Sequence, residues 1–465
     1  MTGIRNGCLM SALIIMAAVA AGAETRPADF GRQWVRSRPF TIMALIQRNE
    51  AAIGTMYVDA GLNTLQVWKN RPDLFAWAVR QQIPWHYHLD GKRKSVEQMQ
   101  DEVAHFLATY PGGEGFLVHD EPKLPEMEAV GQMIAWIKQT YPHALVYSNA
   151  YPPARERGSH AKHAGAEWLA SGLYDEPAVP YSYDDYLNDY VEIVKPDVLM
   201  MDQYPFVRLP EDDPTRYYHE RYFAAMSAVR KAAGRAGIPY WLYVQAFEAD
   251  NYRRLPSESD LRMQVYSCLA YGATGIGYFT YDSAFKRGLL EEDFSPSPLY
   301  PLAAALNKEV AHLGSALRFL TSTDVRYVGP PITLHEGAIQ GVPAGIGLYH
   351  PKSRVATHVA DITIKDGGPD RNALIGFFKD DNGDSYFMIV NLAHGEGLTA
   401  EQTAMSITLT LAPSVTKLTR LSRVTGQPED VPMNAQTVDL TLPGGTGDLF
   451  KIGDDEFPGL PEGAE

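Results

Sequence analysis

The spacing of apolar and polar positions divides the chain into two unlike parts. From about residue 40 to residue 320, short apolar runs alternate with segments of helical period. Phe40–Leu45 is predicted as a strand and Asn49–Ala60 as its helix, with Gly61 as the stop. Thr64–Trp68 follows as a second strand, and Pro72–Gln82 as a helix with proline near its start, where it is tolerated. Pro84–Leu89 is the third predicted strand, and Ser95–Tyr110 a helix that opens with a Ser95/Gln98 capping box. The fourth, Gly115–Glu121, is nearly continuous in apolar residues until His119, Asp120 and Glu121, and Pro122 ends it. Such a run predicts a strand buried on both faces, of the kind found in parallel sheets covered by helices. The alternation continues through a helix at Glu126–Tyr141, a strand at Leu145–Tyr151, a long insertion at Pro152–Tyr181 and a helix at Tyr183–Val194. Strands at Val198–Tyr204, Pro239–Phe247 and Gly275–Tyr281 and helices at Arg216–Ala236, Glu258–Tyr271 and Leu302–Leu317 complete it.

Eight strand–helix units in succession predict a closed (β/α)8 TIM barrel. The competing arrangement, an open doubly wound sheet, usually carries a glycine-rich phosphate turn after its first strand. Here that turn is Ile46-Gln47-Arg48-Asn49, without glycine, and no dinucleotide cofactor is implied. From about Asp324 the pattern becomes short alternating runs separated by turn residues, such as Asp381-Asn382-Gly383-Asp384 and Gly444-Gly445-Thr446-Gly447. That predicts an antiparallel β-sandwich. The expected division is a barrel over 24–320, a sandwich over 324–453 and a loose tail over 454–465. The apolar, helical link from Ala311 to Thr323 predicts a sandwich held rigidly against the barrel.

The first residues add a compartment. Arg5, the apolar run Leu9–Ala21 and the small residues Ala21-Gly22-Ala23 predict a secretory signal peptide over 1–23, and hence a secreted or periplasmic protein. The run falls short of the ~20 residues of a membrane span. The formal net charge of −15 argues against nucleic acid and anionic membranes as partners. Once the leader and Cys8 are removed, Cys268 stands alone, so no internal disulfide can form, and it reads as a small apolar core residue.

Because barrel strands are parallel, their carboxyl ends share one rim, where barrel enzymes do their chemistry. Trp68, His86, His88, Asp120, Glu121, Asn149, Tyr151, Asp202, Tyr204, Gln245, Glu248 and Tyr281 all fall at predicted strand ends. Two carboxylates among aromatic rings suit hydrolysis of a glycosidic bond: one protonated acid donates to the leaving oxygen, and a second attacks or activates water. Bland readings stand beside this one. Asp120 and Glu121 could merely cap a helix beginning at Pro122. Trp68 or Tyr151 alone is more often core than platform. Glu248 could be a solvated loop acid. His86 and His88 have metal-ligand spacing along a strand but no third ligand nearby in sequence, so no metal is assigned.

Several stretches resemble known proteins. Asp120-Glu121-Pro122 resembles the Asn-Glu-Pro of clan A glycoside hydrolases and the Asp-Glu-Pro of family 42-like barrels. Leu269–Tyr281 is similar to the passage into the eighth strand of secreted barrels assigned there, and Leu302–Val325 to their link before a C-terminal β-domain. Val390-Asn391-Leu392 and Pro443–Phe450 resemble strands of that domain. The resemblance implies a secreted glycoside hydrolase acting on an oligo- or polysaccharide. Glu121 would be the general acid/base and Asp120 would hold a sugar hydroxyl. The clan's nucleophile, a Glu ending strand seven, is replaced by Gln245, with Glu248 three residues on. Asp202 on strand six thereby becomes a candidate second carboxylate. A carbohydrate-binding protein on a barrel without its nucleophile is the alternative.

Overall fold

A computed structural model of the chain describes residues 26–153, 182–206, 219–249, 253–283, 285–329, 332–333, 340–341, 345–351, 358–365 and 371–460. The predicted signal peptide and most of the insertion at 152–181 lie outside these residues. The eight parallel strands form a closed barrel in chain order: β1 (Thr41–Ile46), β2 (Thr64–Val67), β3 (Trp85–His88), β4 (Gly113–Asp120), β5 (Leu145–Ala150), β6 (Val198–Asp202), β7 (Tyr240–Gln245) and β8 (Gly275–Phe279). β8 pairs back onto β1 through Thr41 opposite Gly275.

The N-terminal end of the barrel is plugged. A helix at Phe30–Arg36, which the hydrophobic pattern did not announce, sends Trp34 against His86 and Trp241 inside the barrel, with ring centroids 5.9 Å apart in each pair. Gly31 lets this helix touch the Asp197 carbonyl, and any side chain there would collide with it. Arg26 ties the same end together by pairing with Asp197 and donating to the carbonyls of Pro142 and Ala144. Among the described residues it is the opposite end that is left open for a ligand.

The helix predicted over Asn49–Ala60 is broken. A 3-10 turn at Asn49–Ala51 and a short helix at Met56–Asp59 flank Gly54, whose φ of +49° interrupts the right-handed run.

The second part is a sandwich of a seven-stranded and a three-stranded sheet. The larger contains β9 (Thr321–Val328), β12 (Gly347–Leu348), β14 (Ala373–Lys379), β15 (Ser385–Asn391), β17 (Leu418–Leu421), β18 (Pro428–Asp430) and β20 (Gly447–Ile452). The smaller contains β13 (Val359–Ile364), β16 (Met405–Leu411) and β19 (Thr437–Leu442). β10 (Ile332–Thr333) and β11 (Gln340–Gly341) form a separate pair. Strands in both large sheets pair antiparallel except β12, which runs parallel to β9.

The two-residue period of β15 places it between two cores. Phe387 and Ile389 face the three-stranded sheet, whereas Met388 and Val390 join the core shared with the barrel. The helix Glu258–Tyr271 lies in that seam, and every residue after Glu258 is buried. Its Gly376 neighbour approaches the Ala270 carbonyl too closely for any side chain. The sandwich is thus packed onto the barrel through a continuous apolar layer. The tail, expected to be loose from 454, is anchored at least to Leu460. Phe457 is buried against Tyr386, because Lys451 pairs with Asp454 and donates to the Glu456 carbonyl at 2.7 Å, which turns the chain back.

Candidate active site

At the open end of the barrel lies a cavity of about 320 Å³. Its floor holds Asp120, Glu121, Asn149 and Asp202, and its walls include Trp68, Tyr204 and Phe279. These side chains arrive from the carboxyl ends of β2, β4, β5, β6 and β8 or the loops just beyond, which follows from parallel strands closing into a ring.

Asp120 is the last residue of β4 and lies beside Asn149 of β5 in the register. Glu121 follows with φ +56°, a left-handed conformation that costs a non-glycine residue energy, and its N–H is held by the Asn149 carbonyl at 2.9 Å. Such a backbone outlier points toward function. The two acids do not cap the next helix. That helix begins at Leu124, and the Lys123 N–H at its start is met by the Glu126 carboxylate at 2.7 Å.

The amide nitrogen of Asn149 donates to Asp120 Oδ1 at 3.0 Å and to Asp202 Oδ1 at 2.8 Å. Asp202 is 7% exposed, and burial, with the nearby Asp120 charge second, pushes its carboxyl up to about 7. The Asn149 bond and Arg253 pull it down, but less strongly. Asp120 is also raised by burial, opposed by Lys92, whose Nζ lies 3.9 Å from Asp120 Oδ2. The floor of the cavity therefore combines an acid that keeps its proton near neutrality with neighbouring carboxyl groups.

The walls are aromatic. Trp68 stacks on His88 at 4.0 Å between centroids, which orients its ring at the rim. His88 also bonds the Trp68 carbonyl at 3.3 Å, and burial lowers it to about 3, so it serves as a neutral prop for Trp68. Opposite, Tyr204 stacks on Phe279 at 5.6 Å, and Phe247 meets both rings edge-on. Phe285, 58% exposed, extends this wall outward.

Several expected site residues lie away from the cavity. His86 is one layer down in the barrel, bonded to the Tyr147 hydroxyl at 2.9 Å and stacked on Trp241. Burial lowers it to about 3. Gln245 uses its amide on the backbone of Phe206 and Arg254. Glu248 is buried and salt-bridged to Lys286 at 3.0 Å and Arg287 at 2.6 Å, a clip between the β7 and β8 loops. Burial acts to raise its carboxyl, and these two cations hold it below its ordinary value. Tyr281 is fully buried, with its ring 4.9 Å from Tyr57. Tyr151 is half-buried at the edge of the barrel core, and its N–H is bound by the Tyr186 hydroxyl at 2.8 Å. Among the described residues no group of three His, Cys, Asp or Glu is placed to hold a metal ion.

Sequence reasoning missed Tyr243, Phe247, Phe279, Phe285 and Arg253 at the cavity. Alternation along β7 could have marked Tyr243 as inward-facing. The others stand in loops or at a strand end, where no period operates.

No protein-family model matches the chain, and no curated protein does. Several solved structures align with it at low identity. A family 51 α-L-arabinofuranosidase from Bifidobacterium longum aligns at 11% identity over 89% of this chain and 95% of its own, with a TM-score of 0.45. The α-L-arabinofuranosidase of Thermotoga maritima aligns at 7% identity over 93% and 92%, with a TM-score of 0.44. α-Galactosidase I from Mortierella vinacea aligns at 10% identity over 93% and 95%, also with a TM-score of 0.44.

Proposed function

We propose that the protein is a glycoside hydrolase acting on an oligo- or polysaccharide. The observation that carries this reading is the cavity floor, where Asp202, its carboxyl pushed up to about 7 by burial and the Asp120 charge, shares a small aromatic-walled space with Asp120 and Glu121. In the reaction, the Asp202 proton passes to the glycosidic oxygen as the bond from that oxygen to the anomeric carbon breaks. A second carboxylate, for which Glu121 is the candidate, either bonds to the anomeric carbon or takes a proton from the water that does. One water is consumed: where the carboxylate bonds to the carbon, Asp202 takes a proton from the water that then displaces the carboxylate, and where the carboxylate takes the water's proton, solvent carries that proton back to Asp202. The sequence alone favoured Glu121 as proton donor; the burial of Asp202 supports giving it that part and leaving Glu121 the other. Trp68 and the Tyr204–Phe279 wall present flat apolar faces to sugar rings.

A screen of the protein on a polysaccharide and aryl-glycoside panel tests the proposal. Hydrolysis is expected for the native chain and a loss of at least ~100-fold for Glu121→Gln. Equal rates for the two would remove Glu121 from the mechanism.

The second reading, a carbohydrate-binding protein without activity, is favoured by one feature. Strand seven ends in Gln245, bound to backbone, and the next acid, Glu248, is locked between two cations. Saturable binding of an oligosaccharide with no hydrolysis of any panel member would support it. The leader expected over residues 1–23 supports action outside the cytoplasm, and an intact mass beginning near Glu24 in the exported chain checks that.

A further inference from the structure

One residue touches all three acids of the cavity. Asn149 stands on β5 between the acids of β4 and β6, with 3% of its surface exposed. Its amide has two hydrogens, and the two bonds go to Asp120 and Asp202. Its carbonyl fixes the Glu121 N–H where the backbone turns left-handed. Among the described residues its amide oxygen, by contrast, is buried without a hydrogen-bond partner. Leaving a buried acceptor unmet costs stability. The side chain is therefore placed for its donors, at the expense of its acceptor.

Resting on the glycosidase reading, we propose that Asn149 is the positioning residue of this site, holding Asp120 and Asp202 on one amide so that the pair carries a single proton on Asp202. Two carboxylates hydrogen-bonded to the same nitrogen lie within about 6 Å, where like charges oppose each other strongly. Burial pushes both carboxyls toward the protonated form. Donation by the amide favours the charged form, and its two hydrogens keep one charge in the pair. Lys92 stands near Asp120, so the charge settles there and the proton on the more deeply buried Asp202.

The other groups facing the pair do not take over this part. Tyr204 beyond β6, Tyr243 of β7 and Tyr183 of the helix Tyr183–Asp189 all face Asp202, and burial lifts each hydroxyl far above neutrality. Glu121 adds negative charge on the same side, Asp90 adds it near Asp120, and Arg253 opposes it near Asp202.

The pair can be titrated directly in the full chain, by the infrared carbonyl band of a protonated carboxyl or by carbon-13 NMR of labelled aspartates. The signal is assigned by its loss in Asp202→Asn. A midpoint near 7 is expected in the native protein. Asn149→Ala should raise it by about one pH unit, and Asn149→Ser, which keeps one donor, by less. A folded Asn149→Ala protein with an unmoved midpoint overturns the proposal. Should the alanine variant fail to fold, an unmoved midpoint in the serine variant does the same. Once a substrate is known, the alkaline limb of kcat/KM should move with the titration, while KM changes less than kcat. If no panel member is hydrolysed but the midpoint still moves, the glycosidase reading fails and the positioning role of Asn149 stands.

Discussion

Two buried aspartates in this protein have opposite fates. Asp202 at the barrel mouth is met by an amide and lies near a second carboxyl group, and its proton is retained to about 7. Asp260, fully buried where the barrel meets the sandwich, is bonded by His394 at 2.6 Å, by Arg254 and by the Ser257 N–H at 2.9 Å. Burial pushes Asp260 upward too, but the bonds from His394 and Arg254 more than reverse this and hold it well below the usual carboxylate range. Burial is common to both, so the neighbours decide. A buried carboxylate hydrogen-bonded by cations is a structural clasp, whereas one hydrogen-bonded by an amide beside another acid is poised to exchange a proton.

The comparison is most strongly tested at the clasp. Asp260→Asn leaves Arg254 buried without its counter-charge and should destabilise the fold by about 3–5 kcal/mol at pH 7. Because the folded-state value of Asp260 is depressed, its contribution is present above pH ~4 and fades as the pH falls further, so the cost should shrink in acid. Denaturant unfolding at two pH values measures this, and a loss under about 1 kcal/mol at pH 7 would break the comparison.

Asp202→Asn should do the reverse. Hydrolysis of a substrate with a poor leaving group should fall at least ~100-fold. Stability should rise instead. The folded value of Asp202 lies above the unfolded ~3.9, so the native state loses stability as the pH climbs from about 4 to 7, and the amide is free of that penalty. A gain of about 2–4 kcal/mol at pH 8, with almost none at pH 4, is expected. A loss of stability at pH 8 would count Asp202 among the clasps.

The smallest effect sharpens the boundary of the site. Phe285→Ala removes an exposed ring from the outer wall. Stability should stay within about 0.5 kcal/mol of the native chain, and KM should rise about fivefold, for ~1 kcal/mol of lost apolar contact. An unchanged KM would place Phe285 outside the substrate's reach.

The contrast between the aspartates also explains what could be read in advance. Asp202 was legible because it ends a predicted parallel strand, and the common direction of such strands puts every strand end on one rim. Asp260 was not singled out, since nothing local distinguishes it from an ordinary first-turn acid until His394 arrives from 134 residues away. Glu248 and Gln245 were misplaced for the same reason. Gln245 does end β7 and Glu248 does lie just beyond it, but Lys286, Arg287 and the Phe206 backbone, which claim them, come from other loops. Asn149 was expected to meet a sugar. Its bonds to two acids depend on the pairing of β4 with β5 and β5 with β6, which no single strand encodes.

By itself, the sequence determined the repeat of strand and helix, the switch to antiparallel strands and the end of the barrel where acids collect. These follow from local periods of 2 and 3.6 residues and from the shared direction of parallel strands. Only the tertiary structure decided which acids keep a proton, which are neutralised and which rings form the walls. Protonation depends on desolvation and on charges a few ångströms away, and those charges reach the site from distant loops that the local pattern of the chain does not bring together.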